Sequence, residues 1–502
     1  MRAKKAFRNI VWGLAYEVVT LACGLILPRL ILMSFGSKYF GVTSAITQFL
    51  GAITLFQAGI SGVTIAALYK PLAEGDTRKI SVITKSTDFF LRRITLLFTG
   101  SVLAIACVYP FLVIDEFSWI FTASLVVVMS ISTYAQFFIA QAYQSVLQAD
   151  QQLHIFHGIN IIKVVANTAL AALLISMGRG IHAVRLGASV VYVLAALFTI
   201  YYVKKKYKII PDVEKDYSTI KQRWDNFWQY LAGFISLNSG VIIISVFSNV
   251  YAVSVYSVYY LVVAGVTTTL HSCTRGIDAA FGNMLAKDEE TLLKSNFRIY
   301  EQVVFILATL LFSITAVMII PFVEVYTAEV TDTNYIEPLF AYIFICGAFF
   351  SCIRTPYVGV VNAAGHFRQM RNPALHEAAI NIAISITLVH WFGIVGVAVG
   401  TLAAYLYRTL RYAVYLSKNI IKRSLFLFAK RLILSLVCIL MVVAISSFIP
   451  HFENTGFILW ALNAVIVAVV AIVLIIATEL IFYKSDLAQL TKIVRNSVFN
   501  RN

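Results

Sequence analysis

The sequence predicts an all-α polytopic membrane protein with about fourteen transmembrane helices. Two six-helix lobes form a parallel repeat, and two helices follow at the C-terminal end. Three observations predict this fold. The chain is 60% hydrophobic and only 13% charged, which is more apolar sequence than a soluble core needs. Its apolar residues fall into runs long enough to cross a bilayer as helices. A glycine-rich motif that begins at Gly180 returns at Gly393, 213 residues later.

The apolar runs give the helices in order. Backbone groups in lipid must hydrogen-bond within a helix, so each run of about 20 apolar residues is interpreted as one crossing. The first run is too long for a signal peptide and is expected to be retained. The predicted helices are 7–35, 40–69, 90–114, 118–147, 153–177, 181–203, 227–249, 254–282, 298–323, 338–363, 374–391, 394–418, 430–449 and 456–482.

The repeat sets the predicted domains. Gly180 and Asn160 in the first half correspond to Gly393 and Asn381 in the second. Each half holds an even number of helices, so both halves cross the membrane in the same direction. The predicted domains are an N-lobe at 1–203, a cytoplasmic linker at 204–225, a C-lobe at 226–420, and the last two helices with a cytoplasmic tail at 421–502.

The net charge of +16 is unevenly distributed. Lysine and arginine concentrate at the N-terminus, near 70–93, near 204–223, near 408–431 and in the tail. The alternate loops are short and carry acids such as Asp115 and Glu329. By the positive-inside rule, both termini are cytoplasmic. The basic balance therefore indicates topology, and no nucleic-acid partner is expected.

The six cysteines all lie inside apolar runs. None forms a CxxC pair or stands at ligand spacing from a histidine, so neither a metal site nor a redox site is expected. The sequence therefore predicts buried, inert thiols and no cofactor.

Polar residues inside apolar helices are the candidate functional residues, because charge within a bilayer is costly. Lys163 is near the middle of the fifth predicted helix, and Asn160 and Asn167 share its face. We expect such stripes to line a hydrated cavity between the lobes, where arginine and lysine would suit a phosphate. The substrate-binding candidates are Arg29, Lys163, Arg275, Arg354, Asn160 and Asn381, and the coupling candidates are Glu17, Asp278 and Glu377.

Several of these candidate residues could instead have a purely structural role. Arg275 and Asp278 are spaced to pair along one helix. Arg29 and Arg185 are close enough to helix ends to reach the membrane surface. Glu377 is close to a predicted cytoplasmic interface, where it would be an ordinary solvated acid.

Several motifs carry a resemblance to a known family. They are Pro28-Arg29-Leu30, Pro321-Phe322-Val323, Arg354-Thr355-Pro356-Tyr357, Ile380-Asn381-Ile382 and Gly393-Ile394-Val395-Gly396-Val397. In order and spacing, over about 1–420, the chain resembles bacterial polysaccharide flippases. These form the oligosaccharide-lipid branch of the superfamily that includes multidrug extruders and the lipid II flippase.

The resemblance implies a non-enzymatic transporter of the bacterial cytoplasmic membrane that works by alternating access around a cationic cavity. The implied cargo is an undecaprenyl-diphosphate-linked oligosaccharide for surface polysaccharide such as O-antigen. The implied partners are polysaccharide polymerase and assembly proteins. One departure is the order Asn238-Ser239-Gly240, where family members often carry aspartate after the asparagine. This departure leaves coupling to Na⁺ or H⁺ open.

Three alternatives remain at this point. A multidrug extruder driven by Na⁺ or H⁺ predicts acids at the centre of one lobe, whereas the central residues here are mainly cationic. A membrane-bound sugar polymerase or ligase would need a large external loop, but the outer loops are short and contain no Ser-His-Asp or HExxH pattern. A scaffold role leaves the intramembrane charges unexplained.

Overall fold

The computed structural model describes residues 2–54, 60–211, 213–214, 238–274, 277–287, 289–449, 456–484 and 486–487. Within these ranges the chain is almost entirely helical and has no strand. The helices are α1 (Arg2–Phe35), α2 (Ser37–Ile53), α3 (Ile60–Glu74), α4 (Thr77–Leu112), α5 (Trp119–Tyr134), α6 (Gln141–Ala149), α7 (Leu153–Ser176), α8 (Ile181–Tyr207), α9 (Asn238–Phe247), α10 (Val250–Thr274), α11 (Ile277–Ala286), α12 (Glu290–Thr327), α13 (Pro338–Ile353), α14 (Thr355–Ala363), α15 (Phe367–Asn419), α16 (Phe426–Phe448) and α17 (Phe457–Phe482).

Eleven stretches of these helices are long and apolar enough to cross a membrane. One of them, α15, contains two of the predicted crossings. A further predicted crossing, 40–69, is divided between α2 and α3, and only the end of 227–249 lies in the described residues, as α9. The predicted all-α polytopic fold is confirmed.

The outer surface of the helices is apolar, as a lipid-facing surface must be. Leu96, Ile120 and Phe448 are 76%, 76% and 87% exposed. Large side chains of this type rarely cover a water-facing surface in such numbers. Together with the apolar helices, they identify a multi-pass membrane protein.

Two of the predicted crossings are interrupted at their middle. The fourth changes from α5 to α6 through a π-helical turn at Ala135–Ile139. The tenth is interrupted at Arg354, between α13 and α14. Interruptions of this kind are common at functional positions in helices.

The glycine-rich motif forms a tight helical hairpin in the middle of α15. Gly393 has φ 54° and ψ −130°, a conformation available to glycine alone at low cost, and it separates two helical halves. Gly396 and Gly400 follow at the spacing that lets transmembrane helices approach closely. A Cβ atom on Gly400 would lie 2.8 Å from the backbone nitrogen of Ser385.

The earlier copy of the motif makes a similar approach. Gly180 precedes α8, and a Cβ atom on Gly187 would lie 2.8 Å from Leu174 Cδ1 on α7. In both copies, the glycine seven residues after the first one allows a helix to pack on the helix before it.

The chain divides into two compact units, 1–257 and 258–502. The first unit contains α1 to α9 and the start of α10, and the second contains the rest of α10 and α11 to α17. The narrower domain limits given by the sequence remain predictions.

Candidate functional site

Lys163 is the centre of a polar group in the first unit. It is the eleventh residue of the 24-residue helix α7, about 15 Å along the axis from the start of that helix. Its Nζ donates to Asn160 Oδ1 at 2.7 Å and lies 4.8 Å from the ring centroid of Tyr192 on α8. Asn160 is itself buried and donates from Nδ2 to the Phe156 carbonyl at 2.8 Å. The lysine is therefore held by a neutral amide and an aromatic face.

The positive charge at this position is not balanced by an acid. Among the residues that the structure describes, no carboxylate lies within ion-pair distance of Lys163. Asn167, one turn further along α7, is only 8% exposed, and its Oδ1 makes no hydrogen bond. The group thus retains capacity to bind a polar ligand.

Arg185 is a second cation of this kind in the first unit. It lies in the second turn of α8, and its Nε is enclosed without a hydrogen-bond partner in the described part of the chain. Tyr192, which faces Lys163, also lies within electrostatic range of Arg185. The first unit therefore places two cations on the same pair of helices, and neither has an ion-pair partner among the described residues.

The second unit neutralises its buried cations. Arg354 Nη1 donates to Glu377 Oε1 at 2.9 Å, and Arg408 donates to the other carboxylate oxygen. Glu377 is fully buried, so it is not the solvated acid that the sequence allowed. The candidate binding residue Arg354 and the candidate coupling residue Glu377 are thus brought together as an ion pair, with Arg408 as a third member.

The other candidate residues have different surroundings. Asn381 is buried and donates to Thr401 Oγ1 at 3.2 Å across the α15 hairpin. Arg29 and Glu17 are both on α1 and are partly buried. Arg275 lies outside the described residues. Asp278 is in α11, but its side chain is not described.

Sequence reasoning missed a larger ionic network in the second unit. Glu301 on α12 is fully buried and accepts hydrogen bonds from Tyr357 and from Arg423, whose Nη1 lies 2.7 Å from Oε2. Arg431 Nε lies 3.7 Å from the same oxygen, and Arg431 Nη2 lies 3.0 Å from Asp486. The available signal was Glu301 itself, an acid inside an apolar run.

The loop between α15 and α16 is held by this network. Burial works against the charge on Arg423, but its hydrogen bonds and attraction to Glu301 outweigh burial and raise the pKa of Arg423. Arg423 and Arg431 were assigned to a basic cytoplasmic stretch by their sequence position. In the structure both arginines also hold α12, α14, α16 and the residues after α17 together.

Glu479 on α17 also has a hydrogen-bond partner. Gln302 on α12 donates from Nε2 to Glu479 Oε2 at 2.5 Å. This bond joins α17 to α12 inside the membrane-spanning part of the unit.

Neither a metal site nor a disulfide is found in the described residues. No group of three histidine, cysteine or acidic residues is placed to hold a metal ion within them. All six cysteines are free thiols, of which Cys352 and Cys438 are buried while Cys107 and Cys273 are exposed. The prediction of buried thiols is thus right for some of the six and wrong for Cys107 and Cys273, which lie on outward-facing helix surfaces.

The fold is shared with known transporters. The chain is similar to the structure of the lipid II flippase MurJ in an inward closed conformation, with a TM-score of 0.65, 15% identity, and coverage of 94% of this chain and 99% of that chain. It is also similar to an inward-facing multidrug resistance MATE family transporter of the MOP superfamily, with a TM-score of 0.61, 13% identity, and coverage of 82% and 98%. A Vibrio cholerae MATE transporter gives a TM-score of 0.55, 15% identity, and coverage of 84% and 97%.

No protein-family model and no curated protein sequence matches the chain. At these low identities the structural likeness establishes the fold alone, which this chain shares with MurJ and the MATE transporters.

Proposed function

We propose that this protein moves an undecaprenyl-diphosphate-linked oligosaccharide across the bacterial cytoplasmic membrane, for the synthesis of surface polysaccharide. A diphosphate and its sugars cannot cross hydrocarbon unaided, because burying unpaired charge and unsatisfied hydroxyls costs too much. A transporter of this cargo must therefore offer positive charge within the membrane.

Lys163 is the observation that carries the proposal. It is a cation near the middle of a membrane-spanning helix, and within the described residues it has only an amide and an aromatic ring as partners. Such a lysine is expensive to keep in a membrane and would not be needed for packing alone. An anionic cargo would supply the missing negative charge.

The extent of the structural likeness supports a flippase. The MurJ comparison covers 94% of this chain, so only about 30 of its 502 residues are unmatched. Helices α16 and α17 together are longer than that, at 23 and 26 residues, so part of this pair must be matched. The MATE comparisons cover 82% and 84% of the chain.

The test is made in the host organism. In a strain without this protein, lipid-linked oligosaccharide should accumulate on the cytoplasmic side and surface polysaccharide should fall. Wild-type protein should restore both, whereas Lys163→Met should fail at equal membrane abundance. The matched control is Lys294→Met, since Lys294 is an exposed lysine paired with Glu290. Normal polysaccharide and no precursor accumulation in the deletion strain would refute the proposal.

A second function is cation-driven extrusion of small molecules, which the likeness to MATE transporters favours. An ion-coupling role for Glu377 would require its release from both Arg354 and Arg408. Unchanged glycans together with altered drug tolerance in the deletion strain would support this function over flipping.

A further inference from the structure

A groove runs between α7 and α8 in the first unit. Its volume is about 330 Å³, at the lower end of the range for small-molecule sites. Seven apolar side chains line it, among them Ala166, Leu194 and Phe198, and Lys163 is the one charged residue among the described residues of its wall. The groove thus combines a long apolar surface with a single cation.

The groove is open along its length. Ile162, Leu194 and Phe198 are 70%, 60% and 54% exposed, so a molecule can enter from the side and need not pass through a closed portal. An apolar, laterally open groove suits a hydrocarbon chain, which gains little from water and much from apolar contact.

The charge pattern selects the head of the ligand. Lys163 has Asn160 and Tyr192 as neighbours and no carboxylate partner among the described residues. An ammonium group held in this way favours an anion, and lysine binds phosphate as a point charge.

We propose that the α7–α8 groove binds the carrier lipid, with a single polyprenyl chain along the apolar wall and its phosphate at Lys163. With one cation and one apolar wall formed by two helices, the groove suits a lipid that has one chain and one phosphate. The proposal rests on the function proposed above and names the place where the lipid part of the cargo is held.

The second unit provides a matched control groove. It lies among α12, α13 and α16, has a volume of about 520 Å³, and is lined by ten residues, none of which is charged. Leu440 is one of them and is 67% exposed. This groove offers apolar surface without a cation, so it should not distinguish a lipid phosphate from the corresponding alcohol.

The experiment measures lipid binding to the purified full chain in phosphatidylcholine nanodiscs. The probes are geranylgeranyl phosphate and geranylgeraniol, and the binding of each probe is measured by native mass spectrometry. The phosphate should bind on the order of tenfold to hundredfold more tightly than the alcohol, as expected for a hydrogen bond to a charged group. Lys163→Met should remove this difference while alcohol binding persists, and Lys163→Arg should retain it.

Groove-filling variants locate the binding. Ala166→Trp should weaken binding of both probes, whereas Leu440→Trp, in the control groove, should leave the preference for phosphate intact. Alcohol binding by Lys163→Met shows that this variant is folded, so the conclusion does not depend on the tryptophan variants.

Three results would overturn the proposal. They are an unchanged preference for phosphate in Lys163→Met, displacement of the probe by inorganic phosphate at equal concentration, and equal competition by phosphatidylglycerol. The second would indicate a site for free phosphate, and the third a site for bulk phospholipid. Failure of the proposed function is separate, because it would appear as a normal precursor pool in the deletion strain while lipid binding persisted.

Discussion

Replacing Glu377 by glutamine should destabilise the second unit strongly. The carboxylate is fully buried between Arg354 and Arg408, whose side chains are 12% and 10% exposed. Glutamine preserves the shape but leaves two guanidinium groups facing each other without a counter-charge. Removal of one member of a buried ion pair costs about 3–5 kcal/mol, and this range should apply here because neither arginine can reach water easily.

The assay is the free energy of unfolding in bicelles, measured by steric trapping. The matched control is Glu290→Gln, because Glu290 is 65% exposed and pairs with Lys294 at 3.4 Å and with Lys422 at 4.0 Å. Exposed pairs of this kind contribute at most about 1 kcal/mol. If the Glu377 variant lost no more stability than the Glu290 variant, the account of the buried triad would be wrong.

A triple variant separates the structural role of Arg354 from a role in binding. Arg354→Met, Glu377→Leu and Arg408→Met together replace the triad by apolar side chains, which often restores or exceeds the original stability. If Arg354 binds cargo or Glu377 couples transport, as predicted, this protein should be stable and inactive in the precursor assay. A stable variant with normal transport would show that Arg354 serves the fold alone.

Three further predictions concern packing, hydrogen bonding and pH. Gly400→Ala should lower the thermal stability in detergent, because the new Cβ would clash with Ser385 in the first half of α15. The control Gly100→Ala should leave the thermal stability unchanged, because no atom lies within 4 Å of a Cβ at that position. Tyr357→Phe should cost about 1–3 kcal/mol of unfolding free energy by steric trapping, because it removes the phenol that donates to buried Glu301. Asp76 caps α4 through the Lys79 amide at 2.9 Å, and this bond lowers the pKa of Asp76. Because its folded pKa lies below the unfolded value, the cap should persist above pH 4 or so. It should be lost as the pH falls through the lowered pKa, with faster hydrogen exchange at the Lys79 amide. An exchange rate independent of pH beyond the intrinsic effect would contradict the capping role.

The helices and the contacts within one helix followed from the sequence. Apolar runs and the glycine motif gave the crossings, because length and hydrophobicity are local properties of the chain. The grouping of Asn160, Lys163 and Asn167 followed from helical spacing, and the first two do form a hydrogen bond. Periodicity is sufficient whenever both partners belong to one helix.

The contacts between helices did not follow from the sequence. Glu377 and Arg408 are 31 residues apart on the two halves of α15, which Gly393 separates, and Glu301 and Arg423 are 122 residues apart. The sequence around each of these residues does not show which acid pairs with which arginine, because the pairing depends on the rotation and packing of the helices. From the sequence, a basic residue near a helix end is interpreted as a solvent-exposed loop residue, as Arg423 was, because its acidic partner is distant in the chain.

The long separation between Glu301 and its arginine has a consequence for synthesis. At about 5–20 residues per second, Arg423 leaves the ribosome roughly 6–24 s after Glu301. During that interval the acid belongs to a helix that is ready to enter the bilayer, while its counter-charge does not yet exist. Because the native arginine partner of Glu301 arrives only with the later helices, membrane insertion of the second unit should be completed as a group and not helix by helix.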